Sequence, residues 1–378
     1  MKIIAFYLPQ FHAIPENDEW WGKGFTEWVN VKNAKPLFEG HSQPVLPLDG
    51  NYYNLLDRNT LAWQIDLAQK YQVYGFCFYH YWFDGHMLLE KPMEMMKDDK
   101  DLNIPYCICW ANENWTNAWK ADGNVKTLIQ QTYGGRDEWK RHFDYLLPFF
   151  KDKNYIFDKN KPLFVIYRPE IIPCLHDMLN YWNALAIENG LEGITFAYQQ
   201  VSYHYMSDRD ETCFDYNIEY QPGYARYDLQ ANTASFLSRY CFKLKNAIRK
   251  QVIKIDKLLN INLFTHLSKG NLQIEHYDQL CQEIINRKPD SSKAIPGMFV
   301  GWDNTPRRGT KGRVCMGSTP EKFQFYLEKQ IKNAQDNYKK DMLFLFAWNE
   351  WAEGGYLEPD EKNKYGYLEA IKRALSND

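Results

Sequence analysis

The carboxylates Glu350 and Glu353 are the residues whose type and spacing most directly suggest chemistry. They lie three residues apart in the segment W-N-E-W-A-E-G at positions 348–354. Cleavage of a glycosidic bond needs one group that protonates the leaving oxygen and a second carboxylate that assists departure or attack. The surrounding tryptophans would raise the pKa of one carboxyl group, which could then keep its proton near neutral pH. The alternative is a structural pair of acids that caps a helix or binds Arg307 or Arg308, but a position at the end of a buried strand favours catalysis.

Apolar, β-rich segments recur along the chain and would position these acids. Most of them lack polar alternation, which is typical of strands buried on both faces. The predicted strands are Lys2–Leu8, Gly75–Trp82, Pro105–Ala111, Pro162–Tyr167, Gly193–Gln199, Tyr216–Gln221, Gly297–Trp302 and Met342–Trp348. The predicted helices are Thr60–Tyr71, Leu88–Lys97, Asp137–Phe150, Ile172–Asn189, Pro320–Tyr338 and Tyr367–Leu375. Eight strands that alternate with helices predict an α/β fold, the (β/α)8 TIM barrel. A doubly wound sheet would need a glycine-rich phosphate-binding turn after its first strand, and L-P-Q-F at 8–11 is not one.

Two connections are too long for a simple turn and helix. Residues 9–59 predict a long structured loop over the C-terminal face of the barrel, and residues 223–293 predict a helical insertion between strands six and seven. Residues 1–378 would then form a single catalytic domain. Between positions 239 and 257 the insertion carries seven Lys or Arg residues and one acid. A solvated basic face is one interpretation of this stretch, and peripheral contact with an anionic membrane surface is the other.

The C-terminal ends of barrel strands are where active-site residues are expected. Six of the eight predicted ends bring together acids, amides and aromatic residues, and aromatic rings make up 16% of the chain. Tryptophan and tyrosine offer flat apolar faces with a polar edge, which suits stacking on sugar rings. The predicted substrate-binding residues are Tyr7, His12, His80, Trp82, Trp110, Asn112, Glu113, Trp115, Glu219, Trp302, Asp303, Arg307, Trp348, Asn349 and Trp351. Structural alternatives remain open for several: His80 as a core histidine, Trp82 and Trp115 as packing residues, and Asp303 with Arg307 as an ion pair.

Charge and composition exclude several classes of protein. Lys and Arg total 45 against 48 Asp and Glu, a net charge of −3, which argues against binding to nucleic acid. No segment approaches the ~20 apolar residues that span a bilayer, and no signal peptide is evident. The eight cysteines are scattered, as expected of reduced thiols in a cytoplasmic protein. No group of residues has the spacing of a metal site, and no cofactor is expected.

Several motifs resemble one carbohydrate-active group. Besides residues 348–354 they include E-P at 358–359 and F-Y-L-P-Q-F-H at 6–12. The others are E-W-W-G-K-G-F-T-E-W at 19–28, F-Y-H-Y-W-F at 78–83, W-A-N-E-N-W at 110–115 and G-W-D-N-T-P-R-R-G at 301–309. Together they resemble glycoside hydrolase family 99, and more closely the family-99-like WbsX proteins of bacterial surface-polysaccharide loci.

This resemblance implies a (β/α)8 barrel with retaining, endo-acting chemistry on α-mannoside-like linkages. It implies that Glu350 is the base acting on the sugar's own 2-hydroxyl group, that Glu353 is the general acid, and that the intermediate is a 1,2-anhydro sugar. The expected substrate is an oligosaccharide or polysaccharide of O-antigen or capsule type, either free or lipid-linked.

Two other functions stay open. The first is a glycosyltransferase or transglycosylase of lipopolysaccharide or capsule biosynthesis, for which D-R-D at 208–210 would be a metal–nucleotide-sugar motif. The second is a glycan-binding protein without catalysis, which would be expected to have lost the acid pair. The sequence does not determine the oligomeric state.

Overall fold

Eight parallel strands form the centre of the protein. The computed structural model describes residues 1–117, 126–201, 211–232 and 272–376. The strands are β1 (Lys2–Tyr7), β2 (Gly75–Phe83), β3 (Tyr106–Trp110), β4 (Lys161–Ile166), β5 (Thr195–Gln200), β6 (Tyr216–Glu219), β7 (Ala294–Ile295 and Gly297–Phe299) and β8 (Met342–Phe346). Nearly every residue of these strands is buried, because the barrel interior covers one face and the helices cover the other.

The strands pair in chain order, and the ring is continuous except for a break within β7. β1 pairs with β2 on one side and with β8 on the other, with Ile3 opposite Leu343. β7 is interrupted at Pro296: its first segment pairs with β6 and its second pairs with β8. Proline lacks the N–H group that a ladder needs, which explains the break. The prediction of a (β/α)8 barrel is therefore confirmed.

Helices follow most of the strands. Among the described residues they are α1 (Pro15–Trp21), α2 (Glu27–Asn33), α3 (Arg58–Lys70), α4 (Lys91–Asp98), α5 (Arg136–Phe150), α6 (Leu175–Glu188), α7 (Gly223–Asn232), α8 (Tyr277–Asn286), α9 (Thr305–Arg308), α10 (Pro320–Asn333, followed by a π turn at Ala334–Tyr338) and α11 (Gly366–Ser376). The helix predicted from Leu88 begins three residues later. Leu88 instead ends a short strand, His86–Leu88, which pairs with the end of β2 across a turn in which Asp84 and Gly85 both have positive φ.

Loops on the C-terminal side of the barrel contain further short elements. The segment between β1 and α3 holds α1, α2 and a single turn at Leu48–Gly50. Three short strand pairs form there: Trp115–Thr116 with Thr127–Ile129, Gln273–His276 with Arg313–Met316, and Asn349–Glu350 with Gly355–Tyr356. A further pair, Phe157–Asp158 with the start of β4, lies at the N-terminal end of that strand.

The predicted insertion is described only at its two ends. Helix α7 begins it, and the strand Gln273–His276 with α8 completes it. The basic stretch at 239–257 and the D-R-D motif at 208–210 lie outside the described residues. No helix within the described ranges is long and apolar enough to cross a membrane. The single-domain organisation stays a prediction.

Candidate active site

A cleft of about 280 Å³ lies at the C-terminal ends of the barrel strands. Its lining residues are Leu8, Tyr79, Tyr81, Ala111, Glu113, Asn114, Trp115, Thr116, Tyr167, Tyr220, Arg307, Arg308, Glu350 and Glu353. Five of them belong to the set predicted from the sequence: the two proposed catalytic acids, together with Glu113, Trp115 and Arg307. Acids, amides and aromatic rings thus meet in one concave site, as sugar recognition requires.

Arg307 joins the two proposed catalytic acids to a third carboxylate. Its Nη1 donates to Glu353 Oε1 at 2.7 Å, and its Nη2 lies 3.3 Å from Glu350 Oε2. Its Nε donates to Glu27 Oε2 at 3.0 Å. The guanidinium is nearly buried, with 7% of its side chain exposed, and Glu27 behind it is fully buried. One cation therefore holds three acids.

Burial and the neighbouring charges shift pKa values in this cluster. Burial raises the pKa of Glu350 to about 8, against the opposing attraction of Arg307 and with a further upward contribution from the charges of Glu353 and Glu27. It also raises the pKa of Glu27. Burial alone would lower the pKa of Arg307, but the three carboxylates outweigh it and raise that pKa. Glu350 therefore keeps its proton to a higher pH than an ordinary glutamate.

A tight hairpin after β8 presents the acid pair. Asn349–Glu350 pairs with Gly355–Tyr356, and a single helical turn at Trp351–Glu353 joins the two strands. Gly354 has φ +65°, and a Cβ atom there would lie 2.7 Å from the backbone nitrogen of Asp303. That nitrogen donates to the carbonyl oxygen of Glu353 at 2.6 Å, which ties the hairpin to the segment after β7.

Glu358 holds the hairpin from behind. Its carboxylate accepts hydrogen bonds from the indole nitrogens of Trp348 and Trp351 at 3.1 and 2.6 Å, from Tyr53 at 2.8 Å and from Gln64 at 2.6 Å. It is buried, and this raises its pKa to about 7 although the four hydrogen bonds oppose the shift. The group is positioned to support the cleft, and it does not line it.

Four predicted substrate-binding residues belong to this supporting layer. Trp348 and Trp351 are buried donors to Glu358. Asn349 exchanges hydrogen bonds with the backbone of Leu8, its amide oxygen accepting at 2.8 Å and its amide nitrogen donating at 3.0 Å. Tyr7 donates to Gln64, a partner of Glu358. The structure places all four behind the cleft, because their polar atoms are used to fix the β8 hairpin against β1.

The alternation of side chains along β2 explains the positions of a second group of predicted substrate-binding residues. His80 and Trp82 point toward α5, where His80 Nε2 lies 3.0 Å from His142 Nε2 and Trp82 donates to Glu138 at 2.7 Å. Successive residues of a strand face opposite sides of the sheet. Tyr79 and Tyr81 therefore face the barrel interior and line the cleft instead.

Trp110 and Asn112 also lie away from the cleft. Trp110 packs edge-on against His142 with ring centroids 4.9 Å apart, on the outer side of β3. Asn112 is fully buried, and its side-chain amide bonds to both backbone groups of Arg168, each at 2.8 Å. It therefore positions the chain after β4 and makes no contact with the cleft.

The remaining predicted residues have other positions. His12 is buried, and burial lowers its pKa to about 4. Glu219 pairs with Arg287 at 3.0 Å outside the barrel. Trp302 and Asp303 line a second cavity of about 290 Å³. Asp303 accepts from His41, Gln43 and the backbone nitrogen of Thr305 at 2.8, 2.6 and 3.0 Å, so it anchors the loop after β1 and the start of α9.

Part of the cleft consists of residues that were not predicted from the sequence. Four tyrosines line it, namely Tyr79, Tyr81, Tyr167 and Tyr220. Their signal in the sequence was the i, i+2 alternation at 79 and 81, which puts two tyrosines on one face of β2. The link between Glu27 and Arg307 has no such signal, because 280 residues separate the two.

Within the described ranges no group of three His, Cys, Asp or Glu side chains is placed to hold a metal ion.

Comparison with known proteins identifies the family of this chain. The family model described as "Glycosyltransferase WbsX" matches residues 3–371. The chain belongs to the WbsX family. The resemblance inferred from the sequence motifs is thereby confirmed, and the cleft described above is that of a WbsX-family barrel.

The curated relatives of the chain are similar over nearly its whole length. Protein WxcX of Xanthomonas campestris pv. campestris, in strains B100 and ATCC 33913, is 34% identical over 376 residues. The match covers 99% of this chain but 49% of WxcX, so the chain spans about half the length of the curated relatives it matches.

The endo-α-mannosidase of glycoside hydrolase family 99 from Bacteroides thetaiotaomicron superposes with a TM-score of 0.53 at 14% identity, covering 99% of this chain and 96% of that one. A structure described as a glycoside hydrolase-like protein gives 0.57 at 12% identity, covering 99% and 93%. At such identities the likeness establishes the fold.

Proposed function

We propose that this WbsX-family barrel is a carbohydrate-active enzyme that acts on an oligosaccharide or polysaccharide through Glu350 and Glu353. The observation that carries the proposal is that one guanidinium, Arg307, holds both carboxylates at a cleft lined by four tyrosines. A paired acid and base beside aromatic rings is the arrangement that glycosidic bond chemistry needs.

The proposed mechanism uses one proton on the pair. Glu353 donates a proton to the leaving oxygen while Glu350 removes the proton of the sugar's 2-hydroxyl group, and the 2-oxygen attacks C1 to give a 1,2-anhydro sugar. A hydroxyl compound then opens the ring: Glu353 takes its proton, and Glu350 returns a proton to the 2-oxygen. The pair carries one proton before and after each step, so Arg307 faces a constant charge throughout.

The pKa shift of Glu350 supports its role in this cycle. Burial raises the pKa of Glu350 to about 8, so this carboxylate is a stronger base than an ordinary glutamate and can hold the proton of the 2-hydroxyl group until it returns it to the 2-oxygen.

The preferred substrate is an α-mannoside-like linkage of a surface polysaccharide, cleaved internally with retention. The support for this is the family-99 fold and the W-N-E-W-x-E-G motif, which the chain shares in residues 348–354.

Transfer to an acceptor sugar is the second candidate function. The description of the matching family as a glycosyltransferase favours it. The same cleft serves both reactions, because water and a sugar hydroxyl group attack the same intermediate. The two functions differ only in which hydroxyl compound reaches C1.

Product analysis by mass spectrometry tests the proposal. The wild-type protein and the Glu353→Gln variant are incubated with α-mannan fragments and with lipid-linked O-antigen oligosaccharides, first without and then with sugar nucleotides. Glu369→Gln, a change of an exposed acid on α11, is the matched control. Shortened glycans from the wild type and the control but not from Glu353→Gln would support the hydrolase. Chain extension that requires sugar nucleotides would refute it in favour of a transferase.

A further inference from the structure

Arg308 differs sharply from its neighbour in the same short helix. Consecutive residues of a helix point about 100° apart, so when Arg307 faces the acid cluster Arg308 faces elsewhere. Arg308 is exposed and lines the cleft. Among the described contacts, no ion pair or side-chain hydrogen bond engages its guanidinium.

The other charges of the cleft are already matched. Arg307 is shared by Glu27, Glu350 and Glu353. The carboxylate of Glu113 forms an ion pair with Arg168, a residue that lies behind the cleft wall. Of the ionised groups that line the cleft in the described structure, Arg308 is therefore the one that lacks a counter-charge.

We propose that Arg308 binds an anionic substituent, a carboxylate or a phosphate, on the sugar that occupies the cleft. A guanidinium offers two parallel N–H groups to such an oxyanion, a geometry that a neutral hydroxyl group cannot match. The substrate class is then an acidic glycan. This inference rests on the proposed function for the identity of the cleft as a sugar site.

The position of Arg308 also determines what it can contribute. Because it is exposed, water and salt screen its charge, so the preference for an anion is modest and depends on salt. The residue would select among sugars at the rim and would leave the proton transfers of the acid pair unchanged.

Binding of three matched sugars tests the inference without turnover. D-mannose, D-mannuronate and D-mannose 6-phosphate share one ring and differ in the substituent at C6. Their affinities are measured by NMR titration for the wild type, for Arg308→Gln and for Lys362→Gln. Lys362 is the control because it is an exposed cation that lines the second cavity and not the cleft.

We expect one or both anionic sugars to bind the wild type about three- to tenfold more tightly than mannose at low salt. Mannuronate alone would identify a uronic acid, and mannose 6-phosphate alone a phosphorylated sugar. The preference should disappear in Arg308→Gln and at high salt, and persist in Lys362→Gln. Equal affinities, no binding of either anion, or a preference that survives Arg308→Gln would overturn the inference. A preference for an anion in a protein that neither cleaves nor extends glycans would overturn the proposed function alone.

Discussion

Replacing Glu27 with Gln should lower the pKa of Glu350. Glu27 does not line the cleft, but its carboxylate binds Arg307 Nε at 3.0 Å, while the acid pair faces the two Nη atoms. Its charge is one of the causes that raise the pKa of Glu350. Glutamine has almost the same shape, and its amide oxygen can still accept the hydrogen bond from Arg307. The substitution therefore removes a charge with little change in packing.

The size of the shift follows from Coulomb's law. For two carboxylates that bind different nitrogens of one guanidinium, a separation of about 7 Å at an effective dielectric constant of about 20 corresponds to roughly 2.4 kcal/mol, or about 1.7 pKa units. We therefore expect the pKa of Glu350 to fall by about one to two units from its value of about 8.

The assay is a carbon-detected NMR titration of side-chain carboxyl groups in the glutamate-labelled protein. The signal of Glu350 is assigned from its absence in Glu350→Gln. Glu219→Gln is the matched control, because Glu219 is also a buried carboxylate bound to an arginine Nε at 3.0 Å, yet lies outside the cleft. The control should leave the pKa of Glu350 unchanged.

The same shift should be visible in catalysis once a substrate is known. The pair needs one proton, so kcat/KM should fall as pH rises through the pKa of Glu350, and this alkaline limb should move to lower pH in Glu27→Gln. A pKa of Glu350 that stays the same or rises in Glu27→Gln would refute the reasoning, because it would mean that Glu27 does not contribute to the electrostatics of the acid pair.

Three further predictions test the supporting structure. Burial keeps His80 and His142 neutral and lowers the pKa of His80 to about 3. The free energy of unfolding should therefore fall as the pH drops below 6.5, by up to about 1.4 kcal/mol per pH unit for each histidine. Chemical denaturation of a variant with both histidines replaced by Phe would contradict this if the same dependence on pH remained. Glu358→Ala leaves four buried donors without an acceptor and should cost about 3–5 kcal/mol in urea unfolding, whereas a loss below 1 kcal/mol would argue against the network. Tyr81→Ala should weaken glycan binding about tenfold by calorimetry while Trp82→Phe changes only stability, and the reverse pattern would show that the strand faces are wrongly assigned.

The site could be predicted only in part, because the sequence does not show which face of a strand each side chain occupies. The end of β2 shows why: four consecutive aromatic or imidazole side chains at 79–82 look equally suited to sugar binding. Two of them face the interior and two pack against α5. The run of residues by itself does not show which of the two alternating sets faces the interior. His80 and Trp82, the two residues predicted to bind substrate, are the outward pair.

The sequence by itself determined the elements and the acid pair. Eight apolar segments separated by helical patterns specify the (β/α)8 barrel, since segments without polar alternation can only be buried on both faces. The same rule places Glu350 and Glu353 at the mouth of the barrel, because they directly follow the last strand.

Only the tertiary structure decided which residues surround that pair. Arg307 meets Glu27 across 280 residues, a contact made by two short helices whose orientation no local pattern encodes. The tryptophans at 348 and 351 were predicted to bind substrate, yet their indole nitrogens donate to Glu358, ten and seven residues further along. Loop residues acquire their roles from the surfaces they fold against, and those surfaces exist only once the barrel has closed.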